Sequence, residues 1–188
     1  MAANSEIRFA TEAGEELTSS RRIVLKPRLI QIPDVPEILA MIHELAEYER
    51  AADMVEATES KLLSTLTFAD KPSQGYAKTL LSFPPASSKP VGMAMYFHNY
   101  STWNAAPGIF LEDLYVKPEF RNAGHGKALL KRLAEETVKV GGKRLEWSVL
   151  KWNQPSIEFY ERIGAKRMEE WVGYRLEGES LAKMGAPL

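Results

Sequence analysis

The chain has 188 residues, 45% hydrophobic and 26% charged, with a net charge of −1, which fits one ordinary globular domain with its own core. So small a charge gives no sign of a broad surface for nucleic acid or anionic membrane, so neither is expected as a partner. There is no cysteine, which excludes disulfides, thiolate zinc sites and cysteine nucleophiles and is compatible with the cytoplasm, the expected location.

Residues 1–22 are polar and hold four glutamates, Glu6, Glu12, Glu15 and Glu16, with no apolar stretch. They read as an N-terminal extension, neither a secretory signal nor a presequence. The remaining 23–188 read as a single domain. IVLKPRLIQ (23–31) predicts a first strand, weakened by Pro27. Asp34 and Glu37 form a capping-box pair ahead of Val35, Ile38, Leu39, Ile42, Leu45 and Ala46, so a helix is expected over 35–50. Thr58 caps a short second helix with Leu62, Leu63 and Leu66 inward.

ADKPSQG (69–75) is loop chemistry. YAKTLLSF (76–83) and VGMAMYFHNY (91–100) predict an antiparallel hairpin. TWNAAPG (102–108) turns the chain into the strand IFLEDLYV (109–116), which Pro118 stops. A helix follows over about 125–140, with Leu130, Leu133, Ala134, Thr137 and Val138 on one face and Gly141-Gly142 ending it. RLEWSVL (144–150) is a strand, SIEFYERI a helix ending at Gly164, and WVGYRLEG (171–178) a last strand. The order β-α-α-β-β-β-α-β-α-β predicts an α/β (α+β) fold. It has a mixed, mostly antiparallel sheet flanked by helices, with one parallel pair, 109–116 beside 144–150.

RNAGHG (121–126) sits between strand and helix. A dinucleotide loop needs three spaced glycines and an acid about 20 residues on. A nucleoside-triphosphate loop needs a hydroxyl after the lysine, but Ala128 follows Lys127. A pyrophosphate cradle of successive N–H groups at a helix start needs small residues and a base in front, and Arg121-Asn122-Ala123-Gly124-His125-Gly126 fits it. An isolated G-x-G is more often only a tight turn, so the surroundings decide.

Those surroundings carry two motifs. Arg121, Gly124 and Gly126 match [RQ]-x-x-G-x-[GA]. Asn153, Ser156, Tyr160, Gly164 and Ala165 match N-x-x-[AS]-x-x-x-Y-x-x-x-G-[FA]. Together they resemble the GNAT family of acetyl-CoA-dependent N-acetyltransferases over about 23–178. HELAEYE, VGMAMYFHNYSTW, LEDLYV and KWNQPSIEFYERIGA look like the spermidine/spermine (diamine) and thialysine acetyltransferase branch. In the polyamine enzymes an acidic residue helps hold the amine near the position of Val172; here the acids lie at Glu169 and Glu170.

The resemblance implies a GNAT-like sheet whose parallel strands splay, and acetyl-CoA as cosubstrate. It implies an acyltransferase acting on a small-molecule primary amine, a polyamine or diamine first and a lysine-like amino acid second. Such a reaction must take a proton from an amine whose pKa is about 10, stabilise a carbonyl oxygen, and protonate a thiolate. Glu112 and Asp113 are neighbours on a strand, so alternation sends them to opposite faces. The resemblance implies that Glu112 faces the cleft as base, that main-chain groups of Leu114, Tyr115 and Val116 meet the thioester, and that Tyr160 is the acid. It places the cofactor against Arg121, Asn122, Ala123, Gly124, His125, Gly126 and Lys127, with Asn153 and Ser156 toward its pantetheine arm. Asn122 stands where this branch often has glycine, and asparagine tolerates a left-handed backbone.

Tyr48 and Glu49 match the branch's amine-binding end of the first helix. Tyr48 and Trp103 offer ring faces to a cation, and Glu49 and Glu112 offer charge. His43, His98 and His125 lack metal-ligand spacing, so no metal is expected. A homodimer rests on the resemblance alone. The rival readings are a non-catalytic acyl-CoA sensor and an acetyltransferase of protein amines.

Overall fold

The computed structural model describes residues 25–187, in two compact units that divide between Trp147 and Ser148. The expected extension at 1–22 and the first two residues of the expected strand lie outside the described residues.

The first unit is a mixed sheet in the order β1-β3-β4-β5-β6, with β2 on the side of β3. Strands β3 (Ala77–Ser82), β4 (Gly92–Ser101) and β5 (Ala106–Val116) form the antiparallel centre. β6 (Leu145–Trp147) runs parallel to β5, as the intervening helix requires. β1 is only Arg28–Leu29, antiparallel to β3, because Pro27 cannot donate to a ladder. β2 (Leu66–Thr67) pairs parallel with β3, a second and very short parallel contact that the sequence did not suggest.

Helix α1 (Val35–Tyr48) and helix α2 (Glu59–Thr65) cover one face. Val35, Ile38, Met41 and Leu62 meet Leu81, Met93, Met95 and Tyr115 there in a buried cluster. Thr58 caps α2, its hydroxyl accepting from Lys61 N at 3.2 Å. Leu62 and Leu66 are buried as expected, but Leu63 is turned outward at 44% exposure. The expected capping box at Asp34 and Glu37 is displaced by one turn. A short 3-10 turn, Ile32–Asp34, precedes α1, and the Asp34 carboxylate accepts from Gln31 N at 2.6 Å and from both terminal nitrogens of Arg28 at 2.7 and 2.9 Å. Burial alone would raise the Asp34 carboxyl; Arg28 and the Gln31 N–H outweigh it and hold it below its ordinary value.

Helix α3 (His125–Lys139) covers the other face. His125, Leu129, Leu130, Leu133 and Thr137 are its buried residues. The expected stripe was rotated from this: Ala134 is exposed and Val138 is 74% exposed, whereas Leu129 is wholly buried. Thr137 fits the apolar face because its hydroxyl donates to Leu133 O at 2.8 Å. With a helical layer on each face, β3 and the first half of β4 are buried without alternation.

The second unit holds helix α4 (Gln154–Arg162) and helix α5 (Gly178–Met184). The last strand expected at 171–178 is not formed; residues 171–177 carry no regular structure and are exposed, Trp171 at 67% and Tyr174 at 96%. A strand needs a neighbour for its N–H and C=O groups, and these residues have no ladder.

Candidate active site

The loop between β5 and α3 is built by backbone chemistry. A 3-10 turn, Pro118–Phe120, leads into residues 121–124, all exposed. Asn122 has φ +62° and Gly124 φ +90°, so two alternate positions are left-handed. Gly124 is the N-cap of α3 and supplies no capping side chain, and the first turn holds no acid. Ala128 N is bonded to Gly124 O at 2.9 Å, so the N–H groups of His125, Gly126 and Lys127 have no acceptor within the helix. Among the described residues, a Cβ at Gly124 would meet Leu25 Cδ1 at 3.9 Å and nothing nearer. The result is a positive helix end with open space above it, suited to an anion. The Lys127 side chain is exposed beside it.

The acidic pair on β5 is arranged differently from the expectation. Leu111 pairs with Tyr96 and Asp113 with Met95, although Tyr96 and Met95 are adjacent. Glu112 is therefore the extra residue of a β-bulge, and the alternation that would separate it from Asp113 is broken. Glu112 is exposed. Asp113 is half-buried, and its carboxyl is pushed up to about 6, first by burial and then by the charges of Glu112 and Glu49. Burial also lifts the Glu49 carboxyl above its ordinary value. Three carboxylates from β5 and the end of α1 thus feel one another across a partly dry space, an arrangement that attracts a cation. Asp113 was not among the expected site residues. Its signal was there: Glu112 and Asp113 are the two charges in the whole of β5.

The β5–β6 ladder consists of Ile109–Leu145, Phe110–Glu146 and Leu111–Trp147. β5 continues to Val116 paired only to β4. The parallel ladder ends at Leu111–Trp147, at the edge of the bulge, and the main chain of Leu114, Tyr115 and Val116 lies beyond its last rung. The Tyr115 side chain is turned into the α1 core, and its hydroxyl is pushed up to about 12 by burial and by its hydrogen bond to Glu44.

Arg121 joins these parts. Its Nε donates to Val116 O at 3.0 Å, and its guanidinium lies 5.2 Å from the Tyr48 ring centroid and 6.0 Å from that of Tyr115. An open cleft of about 490 Å³ runs along Glu44, Glu47, Tyr48, Tyr115, Lys117 and Arg121. Lys117 is 3.2 Å from Glu44 within it. Trp103 stands apart on the turn between β4 and β5, 90% exposed. Glu112 lies six residues beyond the start of β5, roughly 20 Å along an extended strand, so the fold of one chain does not bring Trp103 to the acidic pair.

In the second unit, Asn153 is buried and caps α4, its side-chain oxygen accepting from Ser156 N at 3.4 Å. Tyr160 is half-exposed, its ring centroid 5.5 Å from that of Phe159. The helix closes with Ala165 N on Tyr160 O at 3.1 Å and Gly164 at φ +92°. Among the described residues no group of three or more His, Cys, Asp or Glu is placed to hold a metal, and no helix is long and apolar enough to cross a membrane.

Residues 43–165 match the model of the acetyltransferase (GNAT) family, a match that runs across the boundary between the two units. Thialysine N-epsilon-acetyltransferase of Sus scrofa is 36% identical, covering 80% of this chain and 91% of its own length. L-ornithine N5-acetyltransferase NATA1 of Arabidopsis thaliana is 31% identical, covering 89% of this chain and 90% of its own length. Among solved structures, an integron cassette protein from the mobile metagenome of V. cholerae superposes with a TM-score of 0.70 at 23% identity, covering 88% of this chain and all of that one.

Proposed function

Since the chain belongs to the GNAT family of acetyltransferases and is an N-acetyltransferase, we propose that it moves the acetyl group of acetyl-CoA to a primary amine of a small cationic molecule. The observation that carries the reading is the meeting of Glu112, Asp113 and Glu49 just beyond the last rung of the β5–β6 ladder. An acidic, partly desolvated space selects an ammonium and can take its proton. The relatives that act on thialysine and on L-ornithine favour an amino acid with a side-chain amine, with polyamines and diamines next.

In this reading the open first turn of α3 and the backbone of residues 122–126 hold the pyrophosphate of the cofactor, with Arg121 and Lys127 beside it. The cofactor supplies an activated thioester. Asp113 and Glu49 attract the ammonium, and Glu112, exposed at the bulge, receives its proton. The neutral amine nitrogen would then attack the carbonyl carbon; the C–N bond forms, the C–S bond breaks, and the second nitrogen proton leaves through water to restore the proton that Tyr160 gives up. Main-chain N–H groups of Leu114 to Val116 serve the developing oxyanion, and Tyr160 gives a proton to the departing thiolate. Asn153 orders the start of α4, where Ser156 lies along the pantetheine arm.

The test is turnover with acetyl-CoA and a panel of amines, read as thiol release. Lysine-like amino acids or polyamines should be acetylated and uncharged amines should not. Binding of acetyl-CoA without acetylation of any amine would make the protein a sensor, and acetylation of peptides alone would make it a protein acetyltransferase. We propose further that it is a homodimer. The support is the exposed apolar run Trp171, Val172, Tyr174 and Leu176, since such surfaces are usually covered. Light scattering that shows a monomer at micromolar concentration would refute this.

A further inference from the structure

The buried face of the α3 start contains one polar contact that the proposed chemistry does not use. His125 Nδ1 lies 2.8 Å from the Ser82 hydroxyl. His125 is 3% exposed and Ser82, the last residue of β3, is fully buried. Burial also depresses the imidazole below its ordinary value, which favours the neutral ring and so one donor and one acceptor nitrogen.

The ring touches both flanks of the loop. It belongs to the residue that follows Gly124, and it meets the Phe120 ring edge-on, 6.2 Å between centroids at 89°. Phe120 immediately precedes Arg121, so one side chain closes the base of residues 121–124. One turn further along α3, Leu129 lies over Gly92, where an added Cβ would be 3.5 Å from Leu129 Cδ1 and 2.9 Å from Tyr115 O. Ser82 and Gly92 are paired across β3 and β4. The first two turns of α3 are thus fixed on one rung of the sheet, by a directional bond at His125 and by close packing at Leu129.

A buried neutral hydrogen-bonded pair adds little net stability, and an apolar pair of the same shape can serve as well. What a hydrogen bond adds over an apolar contact is direction. We propose that the His125 side chain is a positioning residue for the cofactor loop: bonded to Ser82 and set against Phe120, it fixes where α3 begins and hence where its first N–H groups point. This rests on reading the loop as the cofactor cradle.

Three variants of the full-length protein test it: His125→Leu, which keeps bulk and removes the bond; Ser82→Ala, which removes the partner; and His125→Asn, which keeps a polar atom at the δ position. Loss of one buried bond predicts that the Leu and Ala variants raise the KM for acetyl-CoA about tenfold, with kcat at saturation reduced less than threefold and the KM for amine less than twofold. The Asn variant should recover most of the loss. Amide exchange at Ala128 to Leu130, the first N–H groups of α3 bonded within the helix, should quicken without cofactor in the Leu and Ala variants and stay slow in the Asn variant, a readout available even if activity is poor. Unchanged KM and unchanged exchange in the Leu variant overturn the proposal, as does an Asn variant no better than Leu. Calorimetry on the wild type separates the two levels. If the wild type does not bind acetyl-CoA, the cradle reading fails. If it binds and the Leu variant binds equally, only the role of His125 fails.

Discussion

Arg121 and Tyr48 stack across two elements distant in sequence, the guanidinium 5.2 Å from the ring centroid. Tyr48 ends α1, the helix whose next residue is Glu49, and Arg121 opens the loop before α3. The acidic side of the site and the proposed cofactor side therefore share a contact. A partly exposed cation–π pair contributes about 0.5–1 kcal/mol, so Tyr48→Leu should raise the KM for acetyl-CoA about two- to fivefold, and Tyr48→Phe, which keeps the ring face, should raise it less. Steady-state kinetics with the three proteins decides; equal KM for Leu and wild type would show the stack to be idle.

Asp113 makes stability depend on pH in a definite direction. Its carboxyl stands at about 6 in the fold against an ordinary 3.8. The folded chain holds that proton longer than the unfolded one, so the group costs nothing below pH 4 and its penalty grows until pH has passed about 6. Asp113→Asn removes the charge at every pH. The variant should melt with the wild type near pH 4 and about 2–6 °C above it at pH 8. Thermal melts at the two pH values check this, and a variant that melts lower at pH 8 would mean that ionised Asp113 is stabilised by a partner.

The parts of this structure that were legible in the sequence are those with a local physical cause. Thr58 caps because a hydroxyl stands three residues before a free N–H, and Asn122 accepts φ +62° because asparagine tolerates it. The crossover helix made β5 and β6 parallel. What escaped depends on partners. The bulge at Glu112 exists only in the register of β4 against β5, so alternation misplaced Asp113. Leu63 and Val138 fit an apolar period but face solvent because the sheet lies on the other side of their helices. WVGYRLEG has strand composition, yet composition cannot supply the neighbouring strand. The ring of His125 was passed over because its partner, Ser82, is 43 residues away.

Tyr160 tests the proposed protonation of the thiolate. The residue lies on α4, half-exposed, with its ring against Phe159. Tyr160→Phe keeps that ring contact and removes only the hydroxyl. General-acid catalysis typically contributes 10²–10⁴-fold, so kcat should fall by about a hundredfold or more. The affinity for acetyl-CoA should stay close to that of the wild type. Single-turnover kinetics with calorimetric binding separates these quantities, and full activity in the variant would remove Tyr160 from the mechanism.

Gly124 separates two reasons for glycine in the loop. One is its backbone, at φ +90°, where a β-branched residue is strained by about 1–2 kcal/mol. The other is the space over the helix start, where a Cβ would find no atom of the described residues nearer than 3.9 Å, leaving room for a ligand. Gly124→Val violates both conditions, and should lower the melting temperature and weaken acetyl-CoA binding together. Gly124→Asn tolerates the left-handed backbone but fills the space. It should melt near the wild type and still bind acetyl-CoA more than tenfold more weakly, because its side chain stands where phosphate oxygens would approach the N–H groups. Calorimetric titration of both variants gives the answer: wild-type affinity in the Asn variant would show that the glycine serves the turn alone and that the phosphates lie elsewhere.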